Sequence, residues 1–157
     1  QSSMVEVSLS SARGFLRAGQ AVQALPAALA ALRGRARLLG WSSVQLVPIY
    51  LLLAEASTGT GNFRQASKYL SEAEWLVLQS PACGAALQAT VHHGLGLFSA
   101  AQGKLEQALY HLANEVYLAT SAFGVNSIEV SGVYFHMANI FLLQNKMDVA
   151  NSLYTEV

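Results

Sequence analysis

The sequence predicts an all-α fold, a right-handed superhelical solenoid of four helical hairpins, and three observations predict it. Gly61-Asn-Phe-Arg-Gln-Ala66, Gly103-Lys-Leu-Glu-Gln-Ala108 and Asn145-Lys-Met-Asp-Val-Ala150 repeat one pattern every 42 residues, and one interval earlier stands Gly19-Gln-Ala-Val-Gln-Ala24. The segments between these copies carry apolar residues at helical spacing. None shows the period-2 alternation of a half-buried strand. A fixed interval of this length marks a unit that buries its apolar face only against its neighbours, so residues 1–157 read as one repeat domain with hairpins at roughly 4–39, 43–80, 85–121 and 127–157.

The first hairpin is the weakest copy: a helix over 4–17, a turn at Gly19 and a helix over 24–39, with Pro26 tolerable only in an opening turn. In the second, Val47, Tyr50, Leu53 and Ala54 share one face of a helix over 44–57. Gly61 then makes the turn, because a residue without Cβ takes positive φ at no steric cost. A helix over 63–78 follows with Ala66, Tyr69, Leu70 and Ala73 inward, and Pro81 and Gly84 end it. The third hairpin is 86–101, a turn at Gly103, and 105–120. The fourth is about 127–143, a turn at Asn145, and a last helix; Asn is the next best residue for a left-handed position. No polar capping helix follows and the first residue is not Met, so the chain is expected to be a piece of a longer protein.

Charged residues make up only 11% of the chain against 53% hydrophobic, which leaves much of the surface apolar or merely polar and in want of a protein partner. Net charge is zero, but residues 1–40 hold Arg13, Arg17, Arg33, Arg35 and Arg37 against Glu6 alone. A solvated arginine face explains that excess, and a contact for an acidic partner is the sharper reading. No run of about 18 apolar residues suggests a membrane span, no leader is seen, and the single Cys83 forms no intrachain disulfide, so an intracellular protein is expected. Stacking aromatics within a basic patch are missing, which argues against nucleic acid.

Small residues stand twelve apart in each unit: Ala12 and Ala24, Ala54 and Ala66, Gly96 and Ala108, Ala138 and Ala150. Two small side chains facing each other let the helices of one hairpin approach closely. Leu53, Leu95 and Met137 precede the first small residue, and Leu70, Leu112 and Tyr154 follow four after the alanine. This pattern resembles the tetratricopeptide repeat, in the longer 42-residue form of kinesin-light-chain-like proteins. Ala28 replaces the large residue in the first copy, and Ser57 and Ser99 stand where an aromatic is usual, although Phe15 and Phe141 keep it.

A closer likeness lies in Gly40-Trp-Ser-Ser-Val-Gln-Leu-Val-Pro-Ile-Tyr-Leu-Leu-Leu-Ala-Glu-Ala-Ser57, Tyr110-His-Leu-Ala-Asn114 and Tyr134-Phe-His-Met-Ala-Asn-Ile-Phe141. These runs resemble the repeat region of the axonemal family that joins an N-terminal MYND-type zinc finger to tetratricopeptide repeats, over most of residues 20–157. The resemblance implies a component of the cilium or flagellum axoneme, partnered by a second tetratricopeptide protein and the inner-arm dynein heavy chain on the doublet microtubule. Acidic tubulin tails are a further candidate, for the arginine-rich first hairpin. The zinc finger is not in this chain: it needs about eight Cys and His ligands, and one cysteine does not supply them.

No residue set suggests catalysis, a metal or a cofactor. His92 and His93 diverge by about 100° on a helix, and His111 and His136 are read as lying in other repeats. His92 shares its repeat position with Tyr50 and Tyr134, which favours a partly buried packing role. Cys83 has no acid–base pair, no serine stands in G-x-S-x-G, and Gly59-Thr-Gly61 lacks the Lys-Ser/Thr of a phosphate loop.

In tetratricopeptide proteins the first helix of each hairpin lines the concave face. That pattern assigns to the groove Arg13 and Arg17, then Leu51 and Glu55, His93 and Leu97, and finally Phe135, Asn139 and Leu142. Leu51, His93 and Phe135 replace the cations and amides of a carboxylate clamp, so capture of a chaperone tail is not expected. An amphipathic helix or another solenoid's face suits the mixed groove, while packing between repeats is the plain alternative for its leucines. The expected function is a non-catalytic axonemal scaffold. The alternatives are an adaptor capturing short peptides or cargo tails, and a regulatory domain attached to an enzyme.

Overall fold

A computed structural model describes the backbone of residues 2–155 and the side chains of residues 3–148. The described residues are all-helical with no strand: α1 (Ser2–Arg17), α2 (Ala21–Leu39), a 3-10 turn at Val44–Leu46, α3 (Val47–Gly59), α4 (Phe63–Leu78), α5 (Ala85–Ala101), α6 (Leu105–Phe123) and α7 (Ile128–Thr155). Helices adjacent in sequence pack as α1 on α2, α3 on α4 and α5 on α6, while α1, α3 and α5 also touch in succession. Helix α7 packs on α6. Among the described residues no helix is long and apolar enough to cross a membrane.

The core follows the inward faces read from the sequence. Leu9, Leu32, Leu46, Ile49, Leu53 and Leu76 join α1 to α4 in one cluster that reaches Val91 of α5. A second cluster, Leu105, Ala108, Leu112, Val133 and Ile140, ties α6 to α7. The small residues Ala12, Ala24, Ala54, Ala66, Gly96 and Ala108 are all buried. At Gly96 the fit is tight, since a Cβ there would lie 3.0 Å from Leu112 Cδ2 and 3.4 Å from the Ala108 carbonyl oxygen. Removing the side chain is what lets α5 and α6 close.

Three helix ends are built alike. Gly19 N donates to Leu16 O and Gln20 N to Phe15 O; Gly61 N donates to Thr58 O and Asn62 N to Ser57 O; Gly103 N donates to Ala100 O and Lys104 N to Ser99 O, all at 2.8 to 3.1 Å. This is the Schellman pairing, which needs a left-handed residue at the turn, and the three glycines have φ of 74°, 82° and 78°. Ser57 and Ser99, buried where an aromatic is usual, supply carbonyls to these caps. Gly40 and Gly124 follow α2 and α6, and Gly84 directly precedes α5; these three combine φ near 90° with an extended ψ of 160° to 165° and lack the paired bonds of the other turns. Of the three, the sequence pattern marks only Gly84.

Three expectations are corrected. Asn145 makes no turn: α7 runs through it unbroken for 28 residues, and among the described residues no non-glycine has positive φ. A left-handed residue with a Cβ costs roughly 1–2 kcal/mol, whereas continuing the helix keeps every backbone bond, so only the glycine copies turn. Ala138 is accordingly exposed rather than packed against a returning helix. The side chains of Ala150 and Tyr154 lie outside the described residues. Pro26, finally, lies beyond the opening turn of α2, inside the helix. The carbonyl it leaves without a helical donor belongs to Val22, a residue of the first turn that is 68% exposed.

Candidate partner groove and histidine cluster

The face made by α1, α3 and α5 carries two adjoining pockets. One of about 320 Å³ lies between α3 and α5, with Leu51 and Glu55 from the first and His93 and Leu97 from the second, closed by Pro48 and Phe98. Gly94 permits this approach, because a Cβ on it would stand 3.0 Å from Leu51 Cδ2. The other, about 230 Å³, is lined by Arg13, Leu16 and Arg17 of α1 with Leu52 and Glu55 of α3. Leu52 and Glu55 line both, so the two pockets adjoin along this groove face, the first mostly apolar and the second flanked by two guanidinium groups. Neither arginine has an ion-pair partner among the described residues.

Six of the groove residues read from the sequence, Arg13, Arg17, Leu51, Glu55, His93 and Leu97, are thus brought together. Phe135, Asn139 and Leu142 are not part of that lining; they lie exposed on α7, Phe135 at 66% and Leu142 at 59%. The link from the groove to α7 runs through His136, whose ring meets His93 edge-on at 5.4 Å.

Behind the groove wall lies a cluster that the sequence reading missed. His111 is on the second helix of the same hairpin as His92, not in another repeat, and the two Nδ1 atoms stand 3.2 Å apart. His93 Nδ1 lies 2.9 Å from Glu115 Oε2, and Glu115 is buried. The hydrogen bond to Glu115 raises the His93 pKa above its ordinary value; burial opposes this, and the charges of Glu115 and Glu55 assist it. His92 is shifted down by burial, against the pull of Glu74 and Glu115. His111 is shifted down by burial and by His92. Consecutive residues on α5 therefore hold protons with opposite preference.

A signal for these pairs existed. A hairpin folded about Gly103 sets residues ten or so before it opposite residues ten or so after it, and His92, His93, His111 and Glu115 all fall in that window. Among the described residues no three His, Cys, Asp or Glu side chains converge to hold a metal ion. No protein-family model matches the sequence.

Proposed function

We propose that the chain is a non-catalytic protein-interaction scaffold, a right-handed solenoid of tetratricopeptide-like hairpins that works in the axoneme of cilia or flagella. Its partners on this reading are a second tetratricopeptide protein and the inner-arm dynein heavy chain, on the doublet microtubule. The observation that carries the scaffold reading is the pair of adjoining pockets on the face of α1, α3 and α5, mostly apolar between α3 and α5 and cationic at α1. Large exposed apolar side chains support it: Tyr117, Phe135 and Leu142 lie on α6 and α7 beyond the groove and offer a second contact area. The axonemal assignment rests on the resemblance of the runs at 40–57, 110–114 and 134–141.

The compact size of the α3–α5 pocket favours a second reading, an adaptor that captures a short peptide by one or two side chains. Affinity capture from ciliated-cell extract, with the bound proteins identified by mass spectrometry, separates the two. Recovery of dynein heavy chain and a second tetratricopeptide protein is the expected result. Chaperones or vesicle-cargo adaptors with no axonemal component would overturn the axonemal reading in favour of the adaptor.

A further inference from the structure

His92 on α5 and His111 on α6 face each other through the same ring atom, Nδ1 to Nδ1 at 3.2 Å, with ring centroids 5.4 Å apart. A bond between two like nitrogens holds one hydrogen. With both rings neutral, one carries its hydrogen on Nδ1 and donates, while the other carries it on Nε2 and accepts. A first proton binds the free Nε2 of the donor ring. The product is an imidazolium that still donates from Nδ1, and the bond gains charge assistance. After that the only basic nitrogen left in the pair is the accepting Nδ1. A second proton must take that lone pair, and two N–H groups on two cations then point at each other across 3.2 Å.

We propose that His92 and His111 form an acid-sensitive latch across the α5–α6 hairpin, one that takes up a first proton intact and opens at the second.

The surroundings favour this two-stage behaviour. Glu74 of α4 and Glu115 of α6 lend negative charge to His92, which suits the singly protonated pair. Neither replaces the lost bond: Glu115 is already engaged by His93, and Glu74 makes no hydrogen bond to either ring. Tyr110 meets the His111 ring edge-on, while the charge of Glu55 on α3 and the ring of His136 on α7 act on His93 rather than on the pair. Both rings of the pair are only half-buried, so the doubly charged state escapes by turning them to water, which parts α5 from α6 at that level. The latch is internal to the hairpin and does not depend on what the groove binds.

The test follows the imidazole nitrogens by NMR from pH 8 to pH 4 in the native chain, together with amide exchange along α5 and α6. The expected result is a coupled titration of His92 and His111 in two steps separated by more than about one pH unit, with amide protection in α5 and α6 falling about tenfold at the second step only. His111→Asn keeps an acceptor for the His92 N–H but takes no proton, so its protection lacks the tenfold fall that marks the second step in the native chain. Independent single-step titration of the two rings, or an equal loss of protection in His111→Asn, overturns the latch. Should that variant fail to fold, the titration of the native chain decides alone.

Discussion

His93 Nδ1 sits 2.9 Å from Glu115 Oε2, and this contact pins α5 to α6 directly behind the groove wall to which His93 also contributes. Because Glu115 raises the folded-state pKa of His93 above the ordinary 6.5, the folded chain holds this proton more tightly than the unfolded one. The resulting stability is fully present below pH 6.5 and is lost as pH rises through the folded value. Glu115→Gln is therefore expected to cost about 1–3 kcal/mol in the acid range and less in the alkaline range. Urea unfolding of both proteins at pH 6 and pH 9 checks this, and a difference independent of pH would contradict it.

Glycines in the helices divide into those that are needed for packing and those that are not. Gly96→Val forces branched bulk against Leu112 and the Ala108 carbonyl and is expected to destabilise by roughly 1–3 kcal/mol. Gly14, within α1, has nothing within 4 Å of a Cβ, so Gly14→Ala is expected to stabilise by roughly 0.5–1 kcal/mol. Denaturant midpoints of the two variants should move in opposite directions.

The turn after α3 and the uninterrupted α7 make a matched pair of tests. Gly61 has φ of 82°, and Gly61→Ala is expected to cost roughly 1–2 kcal/mol through backbone strain alone. Asn145 is helical, so Asn145→Gly weakens α7 by a few tenths to about 1 kcal/mol. Circular dichroism together with amide exchange over 141–149 reads the second effect; unchanged exchange there would speak against a continuous helix.

Binding by the groove should separate from binding by α7. Leu97→Glu places a carboxylate in the apolar end of the groove and is expected to abolish capture of any groove partner. Phe135→Ser alters an exposed side chain, leaves stability within about 0.5 kcal/mol, and weakens only contacts made through α7. Capture experiments with the two variants, each scored against thermal stability, distinguish the surfaces. Equal loss in both would mean that one partner spans them.

Most of the helical architecture is legible in the sequence, and the places where it is not have physical causes. The helix Phe63–Leu78 begins and ends where the repeat pattern puts it, because Gly61, Asn62 and the inward alanines are all local signals. The expected turn at Asn145 rests on asparagine being the next best residue after glycine for a left-handed position, and next best is not enough here. Asparagine permits a left-handed turn, but only a residue without Cβ makes the turn as cheap as going straight on. Pro26 stands inside the helix because α2 starts at Ala21, ahead of the expected 24, and Gln20 before it makes no side-chain capping bond that would mark the start. The groove residues of α1, α3 and α5 come from the repeat family that the sequence resembles, whereas the approach of Glu115 and His111 to α5 depends on how the hairpin closes about Gly103.

The six left-handed glycines, at 19, 40, 61, 84, 103 and 124, stand one at each helix junction from α1 to α7. The molecule is thus a linkage of stiff rods with one permissive joint apiece. A joint of this kind fixes where the chain bends but holds no angle by itself. The angles between the rods are therefore set by what lies between them, above all by small side chains such as Ala66 and Ala108 and by the bare Gly96. Exchanging one of these for a bulkier residue would re-aim every helix beyond it, as a shim under one leaf of a folding rule swings the whole of its far end.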